Sequence, residues 1–328
     1  MQMPLEKLFN RYTLSRKEAK DILGAISEAA FNPEQISAFL TVFRMRKIST
    51  EELDGFRDCL QDRCIKVDLS DFDPIDLCGT GGDGKNTFNI STLASFVTAA
   101  AGYKVAKHGN YGVSSNCGSS NVLEALGYRF TNDTDVLKRQ LDKIGICFLH
   151  APLFHPAMKA VAPVRRNIGI KTFFNMLGPM VNPYAPDKQL VGVFSAELQR
   201  YYKYIYERSE KEYRILHSLD GYDEMSLTAP TKVIRPGSEQ IVKPADLGVP
   251  TLDPDSIKGG DTVASSAKIF LNVLQGKGSS PQNDVVLSNA ALAINCYKTE
   301  VSYKDCKQEA EEALLSGKAL NVFKKLIA

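Results

Sequence analysis

Residues 76–110, DLCGTGGDGKNTFNISTLASFVTAAAGYKVAKHGN, decide the fold because an apolar run, a glycine turn, a helical segment and a second apolar run follow one another there. Residues 74–78 predict a buried strand, and residues 93–101, rich in Ala, Val and Phe, predict a buried helix. Between them, glycines let the backbone turn its N–H groups toward an anion. Hydroxyls at the helix start, Ser91 and Thr92, are expected to cap the helix and add donors. The stretch therefore predicts a phosphate cradle.

Two kinds of pattern lie on either side of residue 68. Before it every periodic segment is helical, with Ser15 and Glu18 in the spacing of a capping box. Beyond it short apolar runs alternate with helical segments, which favours an α/β domain around a largely parallel sheet. The predicted helices are 5–10, 15–30, 33–46, 50–64, 265–275, 281–297 and 303–326. The predicted strands are 74–78, 103–107, 128–130, 146–149, 189–194 and 214–218, with an added hairpin at 233–234 and 240–242.

These patterns predict two domains. Residues 1–68 form a small helical domain, and residues 69–328 form a larger α/β domain. The segment 156–183 is again helical and is broken by Gly178-Pro179 and Asn182-Pro183. We expect a segment of about 156–185 to rejoin the helical domain, which would make that domain discontinuous.

Composition excludes several classes of protein. Among 328 residues, 44% are apolar and 24% charged, and the net charge of +2 gives no support for nucleic-acid or membrane binding. The seven cysteines are scattered and odd in number, with no Cys-x-x-Cys pair, which indicates free thiols in a reducing compartment. No stretch approaches the roughly 18 apolar residues of a membrane span. We therefore expect a soluble cytoplasmic protein.

A second loop follows the next predicted strand, as Lys107-His108-Gly109-Asn110. Parallel strands carry their ligand loops at their carboxyl ends, so this loop and the glycine turn should meet at one edge of the sheet. Lys107 is then a phosphate-binding cation. The glycine turn is not a Walker P-loop, because no Gly-Lys-Ser/Thr closes it, and its spacing does not fit the dinucleotide fingerprint.

A third candidate is the adjacent pair Asp223-Glu224, just past the strand 214–218. At the same edge of the sheet these carboxylates would hold Mg²⁺, which prefers oxygen ligands and bridges substrate phosphates.

The pair Arg165-Arg166 lies in a helical segment, and a guanidinium there is suited to gripping the carboxylate of a second substrate. No nucleophilic triad or zinc spacing is present, so the chemistry needs no protein nucleophile. His150 and His155 are expected to be structural.

Together these motifs resemble the anthranilate phosphoribosyltransferases over essentially the whole chain. The resemblance rests on GTGGDG at 79–84, TFNIST at 87–92, KHGN at 107–110, GSSNVLEALG at 118–127, FHPAM at 154–158, RRNIGIKTFFNMLGP at 165–179 and DGYDE at 220–224. It implies a helical domain with an α/β domain of the nucleoside phosphorylase and phosphoribosyltransferase type. It also implies a homodimer and the transfer of a phosphoribosyl group from phosphoribosyl pyrophosphate to anthranilate, with Mg²⁺, in tryptophan biosynthesis.

The resemblance also implies roles for individual residues. It assigns no general base and makes Lys107 an electrostatic stabiliser. The residues implied to bind phosphoribosyl pyrophosphate are Gly79, Gly82, Asp83, Thr87, Asn89, Ile90, Ser91, Thr92, Lys107, His108, Gly109, Asn110, Ser114, Ser115 and Ser119. Those implied to meet anthranilate are Gly79, His108, Asn110 and Arg165, and those implied to serve the metal are Ser91, Asp223 and Glu224.

The chain departs from the commonest family pattern at four positions, Tyr111, Gly112, Asn121 and Lys171. These departures bear on the shape of the loop after Asn110 and not on the reaction class.

Two alternative functions stay open at this point. A pyrimidine nucleoside phosphorylase would share the architecture and attack the sugar with phosphate, although Asp223-Glu224 and KHGN disfavour it. A non-enzymatic relative that binds nucleic acid should show a basic surplus, which this chain lacks.

Overall fold

The structure is a computed structural model that describes residues 2–112 and 117–328. The helices are, in chain order, α1 (Gln2–Phe9), α2 (Arg16–Ser27), α3 (Pro33–Met45), α4 (Thr50–Asp62), α5 (Ile90–Ala100), α6 (Ser119–Ala125), α7 (Thr134–Lys143), α8 (Ala151–Phe154), α9 (Ala162–Ile168), α10 (Ala196–Tyr206), α11 (Val263–Leu274), α12 (Ser280–Asn295), α13 (Tyr303–Leu315) and α14 (Lys318–Ile327). The strands are β1 (Ile75–Gly79), β2 (Val105–Gly109), β3 (Ile146–His150), β4 (Lys188–Gly192), β5 (Glu212–Ser218), β6 (Thr231–Arg235) and β7 (Ser238–Val242).

The chain divides into two compact units. One comprises Met1–Val67 and Ala151–Ala185, and the other comprises Asp68–His150 and Pro186–Ala328. The first holds α1 to α4, α8 and α9 and short 3-10 turns, and the second holds the whole sheet and the remaining helices.

The helical unit is built by local capping and by an aromatic core. The capping box predicted at Ser15 and Glu18 begins α2, because Glu18 N donates to Ser15 Oγ at 3.3 Å and Ser15 N donates to the Glu18 carboxylate at 2.8 Å. At the centre, the rings of Phe56 and Phe173 stack with their centroids 4.2 Å apart. Phe173 comes from the later segment, so that segment contributes to the core of this unit.

The second unit contains one seven-stranded sheet in the order β3-β2-β1-β4-β5-β6-β7. The first five strands are parallel, and β6 and β7 continue the sheet as an antiparallel hairpin. The expected α/β class with a largely parallel sheet is confirmed. Helix α5 is almost fully buried, and α12, α13 and α14 pack against it. This explains why its sequence reads as apolar around most of its circumference.

Two predicted elements are wrong. Residues 128–130 form no strand and pair with no strand of the sheet; the Tyr128 ring packs on Phe148 at 5.5 Å, and its hydroxyl donates to Gln140, so the apolar character of this segment reflects side-chain burial. The predicted helix 303–326 is two helices, α13 and α14, separated at Gly317, whose φ of 78° cannot continue a right-handed helix.

The topology points to one edge of the sheet as the place for a ligand. From β1 the chain proceeds outward through β2 and β3, then returns to place β4 and β5 on the other side of β1. Ligands of such sheets bind outside the carboxyl ends of the strands, where the strand order reverses. In the described part of the chain, no helix has the length and apolar character to cross a membrane.

Candidate functional site

Three loops meet at the carboxyl ends of the parallel strands. The loop after β5 reaches the glycine turn after β1, where Gly81 N donates a hydrogen bond of 2.7 Å to Asp223 Oδ2. Glu224, the residue after Asp223, reaches the start of α5, where its Oε1 accepts from Ser91 N at 3.0 Å. From β2, Lys107 Nζ lies 3.5 Å from Ser91 Oγ. Residues from three distant parts of the sequence thus converge on the beginning of one helix. We call this group the rim site.

Two glycines make room for the Asp223 loop. A Cβ atom at Gly79 would lie 2.3 Å from Asp223 Oδ2, and one at Gly192 would lie 1.5 Å from the Asp223 carbonyl oxygen. Gly79 and Gly192 end the neighbouring strands β1 and β4 and occupy paired positions. The loop therefore enters between these strand ends at a distance that only glycine permits. The sequence indicated Gly79 and gave no signal for Gly192.

The cap of α5 differs from the prediction. The N-cap residue is Asn89, and no side-chain cap bond is made there; the Asn89 amide donates instead to Cys117 O at 3.0 Å. The expectation that hydroxyls at the helix start provide the cap is wrong. A carboxylate from a distant loop, Glu224, takes the Ser91 N–H in their place. A negative charge at a helix N-terminus is favourable because it meets the positive end of the helix dipole.

Lys107 and His108 are held at the end of β2. Lys107 is 2% exposed, and its ammonium donates to the Leu77 carbonyl of β1 in addition to facing Ser91. His108 N donates to Asp76 Oδ1 at 3.0 Å. The lysine is thus a buried cation on the same side of the cradle as the hydroxyl of Ser91, which suits a role in binding phosphate oxygens.

Three carboxyl groups lie close together at the rim site. Burial, followed by the charge of Asp83, raises the pKa of Asp223 to about 7. Burial and then the charges of Asp223 and Asp83 hold the pKa of Glu224 well above its ordinary value, and burial also raises the pKa of Asp83. These carboxylates repel one another, so a bound cation would favour their ionised forms.

The donor set fits Mg²⁺. Carboxylate and hydroxyl oxygens are the hard ligands that this ion prefers, and it commonly keeps waters and substrate phosphate oxygens as further ligands. Within residues 2–112 and 117–328, no group of three or more His, Cys, Asp or Glu side chains is arranged to hold an ion. An ion at Asp223 and Glu224 would therefore need hydroxyl, water or phosphate oxygens to complete its shell.

Buried polar side chains of α12 and β5 hold the backbone of the Asp223-Glu224 loop. Asn289, in the middle of α12, accepts from Met225 N at 3.1 Å and donates to Met225 O at 3.0 Å. Ser218, at the end of β5, donates to Glu224 O at 2.7 Å. Sequence reasoning missed both residues. The available signal was weak: Asn289 is an amide within an otherwise largely apolar helical stretch.

Asn121 holds two glycines that follow β2: its Oδ1 accepts from Gly112 N and from Gly118 N, both at 3.0 Å. Ser119 Oγ donates to Asn110 O at 3.2 Å, which joins the start of α6 to the first residue after β2. An amide oxygen at Asn121 makes both bonds without adding negative charge. Ser114 and Ser115, predicted to bind phosphate, lie outside the described residues.

The other predicted residues occupy the same neighbourhood. Gly82 has a φ of 83°, Asp83 accepts from Lys85 N at 3.0 Å, and Thr87 forms a β-bridge with Lys258. Ile90 and Thr92 are buried in the first turn of α5, and Gly109 ends β2.

Arg165 belongs to the helical unit. The residue lies in the last turn of α9. Its guanidinium carbon is 5.1 Å from the centroid of the Phe174 ring, and its Nη2 is 3.5 Å from Asn175 Oδ1. Burial lowers the pKa of this guanidinium.

His150, expected to be structural, packs in the α/β unit. Its ring stacks on Phe130 with the centroids 4.4 Å apart, and its Nδ1 is 2.8 Å from Ser120 Oγ.

The chain matches two family models. Residues 72–320 match the α/β domain of the glycosyl transferase family, and residues 4–64 match its helical bundle domain. The chain is 57% identical over 326 residues to the anthranilate phosphoribosyltransferase of Flavobacterium johnsoniae, covering 99% of this chain and 98% of that one. It is 49% identical over 327 residues to the enzyme of that name from Bacteroides thetaiotaomicron, covering 100% of this chain and 98% of that one.

Solved structures agree with these matches. The crystal structure of anthranilate phosphoribosyltransferase from Thermus thermophilus aligns with a TM-score of 0.90 at 30% identity, covering 98% of each chain. The Saccharomyces cerevisiae enzyme in complex with PRPP and Mg aligns with a TM-score of 0.91 at 29% identity, covering 98% of this chain and 95% of that one.

Proposed function

The chain belongs to the anthranilate phosphoribosyltransferases of the glycosyl transferase family, and from this membership we propose that the rim site binds phosphoribosyl pyrophosphate together with Mg²⁺. The enzyme transfers the phosphoribosyl group of phosphoribosyl pyrophosphate to the amine of anthranilate and releases pyrophosphate, in tryptophan biosynthesis. The strong identity over the whole chain favours this activity over a nucleoside phosphorylase or a nucleic-acid-binding relative.

We assign the metal to Asp223, Glu224 and Ser91. Burial and then mutual repulsion raise the pKa values of the two carboxyl groups, and these groups and the oxygen donors around them support this assignment. When bound, Mg²⁺ would neutralise charge on the pyrophosphate leaving group. A solved relative from Saccharomyces cerevisiae carries PRPP and Mg, which gives the same pairing of substrate and ion.

The chain's own residues supply positioning and electrostatics. Lys107, buried beside Ser91, would place a positive charge against the departing pyrophosphate oxygens, and the glycine turn and the start of α5 would hold the substrate's other anionic groups. The bond from C1 of the ribose to pyrophosphate breaks, and a bond from C1 to the anthranilate nitrogen forms. The aromatic amine is neutral at pH 7, so it attacks without a general base and loses its proton afterwards.

Anthranilate is proposed to meet Gly79, His108, Asn110 and Arg165. The support is the family resemblance and, for Arg165, a guanidinium that lies over the Phe174 ring, since such a group can grip a carboxylate with two hydrogen bonds. Replacing Arg165 with Ala should raise the Michaelis constant for anthranilate with less effect on that for phosphoribosyl pyrophosphate. The reverse pattern would reject this assignment.

The observation that carries the proposal is the joining of Gly81 to Asp223 and of Ser91 to Glu224 beside Lys107. The test follows the loss of anthranilate fluorescence after phosphoribosyl pyrophosphate is added across a Mg²⁺ titration. The variant carrying Asp223→Asn and Glu224→Gln should lose most of its turnover, whereas near-wild-type rates across the titration would reject the metal assignment. Phosphorolysis of thymidine, measured in parallel, should be absent.

We also propose the setting in which the enzyme works. The two compact units would correspond to the helical domain and the phosphoribosyl pyrophosphate-binding α/β domain of the family, and the chain would act as a cytoplasmic homodimer. Support comes from the family models on the two parts of the chain and from the resemblance of the motifs. Sedimentation equilibrium should give twice the chain mass of 36.1 kDa, and the mass of a single chain would reject the dimer.

A further inference from the structure

Strands β1 and β2 separate at their carboxyl ends. Among the described residues of these two strands, the register pairs them at Ile75 and Val105 alone, whereas β2 with β3 and β1 with β4 pair along their full lengths. The pairing begins with Ile75 N donating to Lys104 O at 2.9 Å. A regular parallel ladder, continued from that bond, would join His108 N to Leu77 O.

Two charged side chains take the place of that backbone bond. His108 N donates instead to Asp76 Oδ1 at 3.0 Å, and the Leu77 carbonyl accepts from Lys107 Nζ. Each side chain crosses from one strand to the other, and both are nearly inaccessible, with Asp76 at 0% and Lys107 at 2% exposure.

Asp76 is held firmly in this position. Its second oxygen, Oδ2, accepts from Gln189 Nε2 of β4 at 3.1 Å and from Cys78 Sγ at 3.3 Å. Gln189 Oε1 in turn accepts from the Tyr206 hydroxyl of α10 at 2.6 Å. A carboxylate with partners on both oxygens and on several elements cannot turn away from His108 without breaking other bonds.

We infer that Asp76 is a positioning residue for phosphoribosyl pyrophosphate binding, acting by keeping the end of the β1–β2 pair open. Because its carboxylate takes the His108 N–H, the Leu77 carbonyl is left to hold the Lys107 ammonium next to Ser91. Without that carboxylate, His108 N would bond to Leu77 O, close the ladder and displace the ammonium. The inference rests on the proposed role of Lys107 toward this substrate.

The test measures the dissociation constant of phosphoribosyl pyrophosphate with Mg²⁺ by calorimetry, together with both Michaelis constants. Asp76→Val should weaken binding about tenfold or more, the loss expected for one charge-assisted hydrogen bond. The Michaelis constant for anthranilate should change by a smaller factor, since His108 is also a proposed contact of that substrate. Asp76→Asn retains an oxygen for His108 N, and its NH2 group can donate to Gln189 once the Gln189 amide turns over and donates to the Tyr206 hydroxyl. Binding should then stay within about threefold of wild type. In a Lys107→Met background, Asp76→Val should add little, because both changes remove one interaction.

Several results would separate the possibilities. If Lys107→Met binds as tightly as wild type, the proposed role of Lys107 fails. If Lys107→Met weakens binding while Asp76→Val does not, or if the two losses add fully, the inference about Asp76 is overturned. Should Asp76→Val not fold, Asp76→Glu decides, since its longer side chain moves the carboxylate off His108 N: weakened binding supports the inference and unchanged binding overturns it.

Tyr206→Phe is the matched control. It removes a hydroxyl from the same buried network at a position remote from β2. It should lower the melting temperature and leave the dissociation constant unchanged. Equal weakening by Tyr206→Phe and Asp76→Val would show that general loss of core polarity explains the effect, which would overturn the inference.

Discussion

The close approach of the Asp223 loop to Gly192 gives a sharp prediction. In Gly192→Ala the added Cβ would stand 1.5 Å from the Asp223 carbonyl oxygen, whereas ordinary contact begins near 3.4 Å. The obstacle is backbone, so the loop must move by about 2 Å to relieve the overlap. Hydrogen bonds of 2.7 Å from Gly81 N and 3.0 Å from Ser91 N to the loop carboxylates do not survive such a shift.

The magnitude follows from those two bonds. At saturating Mg²⁺ the carboxylates would be ionised, so each bond is charge-assisted and contributes about 1.5 to 3 kcal/mol to holding the carboxylates in place. Losing both bonds would lower kcat/KM by about two to four orders of magnitude, if their whole free energy serves to position the carboxylates for the reaction. The assay is the initial rate of anthranilate fluorescence loss at saturating Mg²⁺, with the melting temperature measured to confirm folding.

Gly178→Ala is the control, because a Cβ at Gly178 meets nothing within 4 Å and the residue has no left-handed φ. It should retain wild-type kcat/KM. A folded Gly192→Ala enzyme with wild-type kcat/KM would refute the reasoning, since the loop would then tolerate displacement without loss of function.

Three further predictions address the loop and the helical unit. Asn289→Leu leaves the buried Met225 N–H and carbonyl without their amide partner, so urea unfolding should show a loss of about 1 to 3 kcal/mol and the apparent Mg²⁺ affinity should fall; unchanged affinity would contradict a role in holding the loop. Glu224→Gln should raise the melting temperature of metal-free protein at pH 8, because burial, and after it the neighbouring carboxylates, raise the pKa of Glu224 and its ionised form opposes folding; a lower melting temperature would show that its bond to α5 dominates. Lys7 lowers the pKa of Glu18 from 4.5 to about 2, so wild type should exceed Glu18→Gln in stability above pH 4.5, by well under about 1 kcal/mol for this exposed pair. That advantage should vanish as the pH falls from 4.5 toward 2, and a difference independent of pH in urea unfolding would contradict it.

Local rules predicted the features that depend on neighbouring residues. The capping box of α2 needs Ser15 and Glu18 three positions apart, and the turn after β1 needs glycines directly after a strand. The position of Lys107 at the same edge of the sheet as Ser91 was predictable because the carboxyl ends of parallel strands lie at a common edge. Each of these inferences uses spacing that the sequence displays directly.

The features that sequence reasoning missed depend on contacts between distant residues. The α5 cap comes from Glu224, 133 positions beyond Ser91, so the hydroxyls adjacent to the helix start gave the wrong answer. Asn289 clamps a loop 64 positions away, and nothing in its own helix identifies the partner. Asp76 was read as part of an apolar strand, although its carboxylate replaces a backbone acceptor for His108. Tertiary contacts override local preference at all three positions.

The most direct test places a metal in the rim site. Crystals grown with phosphoribosyl pyrophosphate and Mn²⁺ in place of Mg²⁺ would be measured at the manganese absorption edge, where the ion gives an anomalous difference peak. The peak should lie within coordination distance of carboxylate oxygens of Asp223 or Glu224, with the pyrophosphate beside Lys107. A metal peak away from both carboxylates, with the sugar pyrophosphate bound elsewhere, would contradict the assignment of this site.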